Sequence, residues 1–362
     1  MKAAVVNAIG GGFELDEVEL ANPAGREVLI EVKASGLCHT DLTYAKTGLG
    51  YPAPCVLGHE VAGVVVAAGP EATGLAIGDH VVGCLVQYCG ACRKCLSGRP
   101  YQCLNREATL RAESQPPRIS RSGEAVAQGF GLGGFAERAL IHENQLVKVP
   151  DTVPFPQAAL LGCGAVTGAG AVLNTAGVQP GDAVVVIGAG GVGLNAVTGA
   201  VLAGATTIIA VDLTDEKLKK AREFGATDVI NSSVQDPVAA VLEITGTGAD
   251  AVFDFVGAPE VTGQGLQMTA PGGGLYLIGA SSLTGEFTVN TIQTIGTQRR
   301  IQGVFMGSTN PKRDIALYAD LYLAGRFNLD GLLSKEISLS EVNDGYAALE
   351  DGSTARVVIT RF

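Results

Sequence analysis

Residues 183–212, AVVVIGAGGVGLNAVTGAVLAGATTIIAVD, constrain the chain more than any other stretch. Val184-Val185-Val186-Ile187 is a β-branched run of the kind that forms a strand buried on both faces. It leads into Gly188-Ala189-Gly190-Gly191-Val192-Gly193, a G-x-G-x-x-G. Residues 194–203 then read as a helix closed by Gly204. A second buried run, 207–211, ends on Asp212. Each part has a physical task. Gly188 permits a tight turn, Gly190 lets backbone approach a pyrophosphate, and Gly193 lets helix pack close on strand. The helix N-terminus offers free N–H groups and a positive dipole end to phosphates. Asp212 falls at the spacing of a carboxylate that hydrogen-bonds an adenosine ribose. A lone G-x-G-x-x-G says little; one set between two strands and a helix predicts a dinucleotide site.

Strand and helix continue to alternate beyond this unit. Further strands are expected at 228–230, 251–255, 275–278 and 300–304, with helices at 216–224 and 238–244 between them. Six strands complete a doubly wound parallel sheet. The first 150 residues differ. Short β-branched runs at 2–6, 27–34, 61–67, 80–83 and 135–141, separated by glycine-rich turns, predict a mostly-β domain. Residues 104–134 are polar and aperiodic, either a disordered insertion or an ordered loop wrapping a lobe. The tail is expected to add helices at 312–324 and 339–350 and a closing strand at 355–360, returning to the first domain. The expected domains are therefore 1–164 with 306–362, and 165–305.

The net charge of −11 argues against nucleic acid, whose phosphates need a basic surface. We expect no apolar run of membrane-spanning length. The N-terminal residues lack the apolar core of a signal peptide, which points to the cytosol. In that compartment the chain's eight cysteines read as metal ligands or free thiols rather than disulfides.

Four of them, Cys89, Cys92, Cys95 and Cys103, stand in CGACRKCLSGRPYQC. Two successive C-x-x-C steps bring four thiolates within reach of one ion, a closed structural zinc site. A dispersed set follows: Cys38-His39-Thr40-Asp41, Gly58-His59-Glu60 and Cys163 in LLGCGAVTGAG. Two cysteines and one histidine make a zinc site with one coordination position left open for substrate.

Taken together, CHTD at 38–41, GHE at 58–60, the four-cysteine knuckle, GCG around Cys163, GAGGVG, Asp212 and the tail ARVVIT resemble the zinc-containing medium-chain alcohol dehydrogenases along nearly the whole chain. The resemblance implies a GroES-like mostly-β catalytic domain plus a Rossmann NAD-binding domain, with two zinc ions per chain. It implies reversible oxidation of an alcohol to an aldehyde or ketone by hydride transfer to NAD. Cys38, His59 and Cys163 would be the catalytic zinc ligands, with Asp41 fixing the tautomer of His59 and Glu60 behind the metal. Thr40 would hydrogen-bond the alcohol oxygen. His39 and Arg356 would meet the pyrophosphate, Lys217 would help Asp212 hold the ribose, and Gly188, Gly190, Gly191, Val192, Gly193 and Thr167 would line the cofactor.

One position departs from the family pattern. Some relatives carry a proton-relaying histidine where this chain has Thr43, and a hydroxyl is no base near neutral pH. Cys55 and Cys84 read as free thiols, and His80 and His142 as structural. The long loop before Cys163 resembles the dimeric branch of the family, and an edge strand at 300–304 predicts a homodimer. Two other readings stay open: a zinc-free enone or quinone reductase of the same superfamily, and a non-catalytic dinucleotide-binding protein.

Overall fold

The β-branched runs after residue 183 assemble into a six-stranded sheet in the computed structural model, which describes residues 1–112, 114–281, 284–350 and 354–362. Ala183–Ile187 lies at its middle, parallel to Thr207–Asp212 on one side and to Ala249–Asp254 on the other. Asp228–Asn231 extends one flank; Thr269–Leu277 and Arg300–Gly303 extend the other. Strand order reverses beside Ala183–Ile187, and ligands of such sheets bind at that switch point, outside the carboxyl ends of the strands. Val185, Ile187, Ile209, Val211, Val252 and Leu275 form its buried core.

The helix after the glycine turn runs Gly191–Ala203 and ends on left-handed Gly204. It starts three residues earlier than its apolar pattern suggests, because Gly191-Val192-Gly193 is its first turn. A Cβ on Gly193 would stand 1.9 Å from the Gly188 carbonyl oxygen, so only glycine permits that approach.

The chain divides into two compact units, Met1–Cys163 with Asn310–Phe362, and Gly164–Thr309. In the first, Glu27–Gly36 pairs antiparallel with Glu60–Ala68, Arg138–His142 and Arg356–Arg361. The expected strand at 135–141 is split. Phe135 and Ala136 pair with the first strand, Lys2–Val6, before Arg138–His142 joins the larger sheet.

The polar segment 104–134 is ordered at its described residues. Ile119–Arg121 pairs with Glu19–Leu20, and the guanidinium groups of Arg111 and Arg118 both hold Glu27. Burial opposes the charge on Glu27, yet hydrogen bonds from Arg111, the Ala24 N–H and Arg118 outweigh it and hold the carboxyl below its usual range.

One expectation is corrected. The helical run Phe155–Ala176, 22 residues, is by length and composition apolar enough to cross a membrane, but 83% of its most apolar stretch is buried within the protein, as in a core helix.

Candidate active site and metal centres

Gly36 stands opposite Glu60 in the pairing of their strands. That register brings the residues just beyond the two strand ends, Cys38 and His59, to one rim of the sheet. Val358 pairs with Gly36 as well, which sets Arg356 at the same rim. Cys163 arrives from the helical run, in the π-helical turn Leu161–Ala165. Such single wide turns are frequent at functional sites. A Cβ on Gly162 would lie 2.1 Å from the Gly83 carbonyl oxygen, so the glycine before Cys163 lets the helix rest directly on the strand His80–Gly83.

Ligand atoms of Cys38, His59, Glu60 and Cys163 all lie within 4.8 Å of one another, and all four residues are buried. The His59 Nε2 is 3.3 Å from the Cys163 Sγ. Behind the ring, the Asp41 carboxylate faces Nδ1 at 2.8 Å and accepts the Gly58 N–H at 3.0 Å. Gly58 adopts φ +95°, and a Cβ there would strike the Phe135 backbone at 2.6 Å; this turn therefore requires glycine immediately before the histidine.

These buried groups shift one another strongly. The hydrogen bond from Cys163 is the largest cause of a Cys38 thiol held well below its usual range, with His59 assisting against burial. The same bond leaves Cys163 well above its range. Burial opposes a charge on His59, but Asp41 and Cys38 raise its pKa well above the ordinary imidazole value. Burial pushes Glu60 up to about 7 against the pull of Arg356. Neither Glu60 carboxylate oxygen has a hydrogen-bond partner among the described residues; the Arg356 Nη2 stands off at 3.6 Å. Two thiols, an imidazole oriented by a carboxylate, and an unsatisfied carboxylate beside them fit a catalytic zinc.

The second cluster is geometrically complete. Sulfur–sulfur distances are 3.5 Å for Cys92–Cys95, 3.6 Å for Cys89–Cys103, 3.9 Å for Cys92–Cys103 and 4.0 Å for Cys89–Cys95. Four sulfurs each about 2.3 Å from a central zinc stand about 3.8 Å apart. Backbone N–H groups of Cys89, Ala91, Cys92 and Asn105 also point at the sulfurs. Backbone hydrogen bonds hold Cys92 down to about 6, while burial pushes Cys95 up to about 12.

The remaining sequence-predicted residues fall into two groups. His39, exposed, and Thr40, half-buried, open the helix His39–Thr47, with Cys38 at its N-cap. The Thr43 hydroxyl donates to the His39 carbonyl, tied to its own helix. Arg356 lies buried beside Glu60. The dinucleotide residues belong to the second unit. A Cβ on Gly190 would meet nothing within 4 Å, leaving open space at the uncapped N-terminus of Gly191–Ala203. Asp212 accepts the Ala189 and Leu213 N–H groups, with the Lys217 Nζ at 4.0 Å. Val192 lies in the helix's first turn, and the buried Thr167 hydroxyl contacts the Met306 sulfur.

Sequence reasoning missed Phe130. It lies in GFGLGG, at the end of the segment read only as polar and aperiodic. Its ring packs 5.0 Å from the imidazole of His59. A phenylalanine bracketed by glycines is the signal that could have marked it.

The alcohol dehydrogenase GroES-like domain family matches residues 24–151, and the zinc-binding dehydrogenase family matches 191–322. An NDMA-dependent alcohol dehydrogenase of Amycolatopsis methanolica is 40% identical over 366 residues, covering 99% of this chain and 98% of that protein. This chain belongs to the zinc-containing medium-chain alcohol dehydrogenases. Within that family, an S-(hydroxymethyl)glutathione dehydrogenase of Paracoccus denitrificans is 35% identical over 99% of both chains. The crystal structure of benzyl alcohol dehydrogenase from Acinetobacter calcoaceticus superposes with a TM-score of 0.94 at 37% identity, covering 100% of this chain and 99% of that one.

Proposed function

We propose that this protein is a zinc-dependent dehydrogenase that interconverts a small alcohol and its aldehyde or ketone with NAD(H). The observation that carries the reading is the buried set of Cys38, His59 and Cys163, with the His59 Nε2 3.3 Å from the Cys163 Sγ. Zinc in this set supplies Lewis acidity toward a substrate oxygen. The nicotinamide cofactor supplies the hydride acceptor.

The chain's own residues do the rest. Asp41 holds the His59 ring so that Nε2 faces the sulfurs. Thr40 carries the substrate proton outward through its hydroxyl. Thr43 is no base, so that proton leaves through water or the cofactor ribose. Glu60 and Arg356 form a buried counter-charged pair behind the ligands. Asp212 takes the ribose hydroxyls with Lys217 beside it. Gly188, Gly190, Gly191 and Gly193 cradle the pyrophosphate, and Thr167 and Val192 pack near the nicotinamide. Cys89, Cys92, Cys95 and Cys103 hold a structural zinc.

We further infer a cytosolic homodimer. Arg300–Gly303 is the edge strand of the parallel sheet, and beside it Ile292 and Ile295 are 83% and 70% exposed. Pairing of this edge with its own copy is self-complementary. Sedimentation should report twice the chain mass; a monomer would show the edge to be unused.

The reaction is tested with aliphatic and aromatic alcohols, benzyl alcohol among them, assayed with NAD⁺ alone and with NDMA added. Oxidation of at least one alcohol supports the reading. Reduction of enones or quinones with no alcohol turnover would favour the reductase alternative.

A further inference from the structure

Phe130 has φ +57° and ψ 13°, the left-handed region that a bulky residue enters only under constraint. Glycine flanks it at 129 and 131, and glycine at 130 itself would remove the strain. The chain keeps a phenylalanine there and pins it at both backbone groups. Its N–H donates to the Tyr51 hydroxyl at 2.8 Å. Its carbonyl accepts from the Gln145 Nε2 at 2.9 Å, and that fully buried amide also donates to the Cys84 carbonyl. Two side chains distant in sequence thus hold the backbone of one strained residue.

What they hold is a ring among aromatics. Phe130 packs against Tyr44 at 4.9 Å, Tyr51 at 5.5 Å and His59 at 5.0 Å, tilted 60° to the imidazole. Asp41 meets the His59 ring at Nδ1, and Cys163 faces Nε2. Those contacts fix which nitrogen points where. Two point contacts at the ring nitrogens leave the ring able to rock. A wall against its side stops that motion.

We propose that Phe130 is a positioning residue for His59: held in its strained conformation by Tyr51 and Gln145, it fixes the tilt of the imidazole as Asp41 fixes its tautomer. The inference rests on the reading of Cys38, His59 and Cys163 as a metal site. Ordinary core packing does not account for it, since a core phenylalanine needs neither a left-handed backbone nor two dedicated hydrogen bonds.

The test compares zinc release to a chelator from the unaltered protein, Phe130→Leu and Tyr51→Phe. The four-cysteine site serves as an internal control, and the two phases are assigned with Cys163→Ser and Cys92→Ser. Both test variants should release the Cys38–His59–Cys163 zinc about tenfold faster and leave the other phase unchanged, the size of effect usual when a ligand loses its support. In cobalt-substituted protein, both should also shift the visible absorption of the ion at that site. Tyr51→Phe removes a single hydroxyl and keeps the variant pair informative where Phe130→Leu folds poorly. Equal acceleration at both sites, or none at either, would overturn the proposal. An unaltered protein whose zinc content Cys163→Ser left unchanged would instead refute the metal reading, and the inference with it.

Discussion

The His59 Nδ1 lies 2.8 Å from the Asp41 Oδ2, and both side chains are completely buried. The other Asp41 oxygen is held by the Gly58 N–H, so the carboxylate is anchored to the backbone beside the histidine it orients. Asp41→Asn keeps the shape and removes the charge. We expect it to weaken zinc at the Cys38–His59–Cys163 site by about 10- to 100-fold and leave the four-cysteine site unaffected. Competition with a graded series of chelators measures this. Equal affinity in variant and parent would show that the pair does not support the metal.

Cofactor choice is predicted to turn on Asp212. Its carboxylate accepts two backbone N–H groups and stays 9% exposed at the side chain, with the Lys217 Nζ at 4.0 Å. A 2′-phosphate brought to that acid meets like charge. NAD⁺ should exceed NADP⁺ by about 100-fold or more in kcat/KM, and Asp212→Gly should narrow the gap by about tenfold. Comparable efficiency with both cofactors in the parent protein would contradict the assignment.

His142 supplies a pH test at a residue outside both ligand sets. Burial, with Arg26 and Arg118 adding to it, pushes its pKa down to about 4, and its Nδ1 accepts the Asn144 N–H. The unfolded chain binds this proton below about 6.5 and the folded chain only near 4. Stability from the neutral ring is therefore full above about pH 6.5 and is lost as pH falls toward 4, amounting to about 2–3 kcal/mol. His142→Asn keeps a capping acceptor without titrating. Its melting temperature should fall less steeply than the parent's between pH 6.5 and 4. Parallel curves would exclude the histidine as a source of acid sensitivity.

Much of the site was legible because its residues sit at strand ends and turns marked by short motifs. His59 follows a glycine that its φ demands, Cys163 stands between glycines, and Asp212 ends a buried run. What escaped depended on tertiary contact. The helix His39–Thr47 has weak helix formers and little apolar periodicity; Asp41 and Ala45 alone are buried along it. Nothing local announces that the buried neighbour of Arg356 is Glu60, nearly 300 positions earlier. Phe130 was hidden in a segment without period, because its conformation is imposed by Tyr51 and Gln145 rather than by its neighbours. The run 155–176 escaped as a membrane-length helix because glycines interrupt its apolar pattern; Gly162, Gly168 and Gly170 serve close packing against other backbone.

Cys38, His59 and Cys163 are proposed to hold the metal that does the chemistry, and Cys89, Cys92, Cys95 and Cys103 one that supports the fold. Zinc counted per chain, alongside alcohol turnover and NADH binding, tests it most directly. The parent should hold two zinc ions, as its two buried or half-buried ligand sets require. Cys163→Ser should hold one, bind NADH and turn over no alcohol. Cys92→Ser should also hold one, but should lose about 3–4 kcal/mol of stability, roughly 10 °C in Tm. A Cys163→Ser protein that kept both zinc ions and full turnover would show that Cys163 holds no catalytic metal.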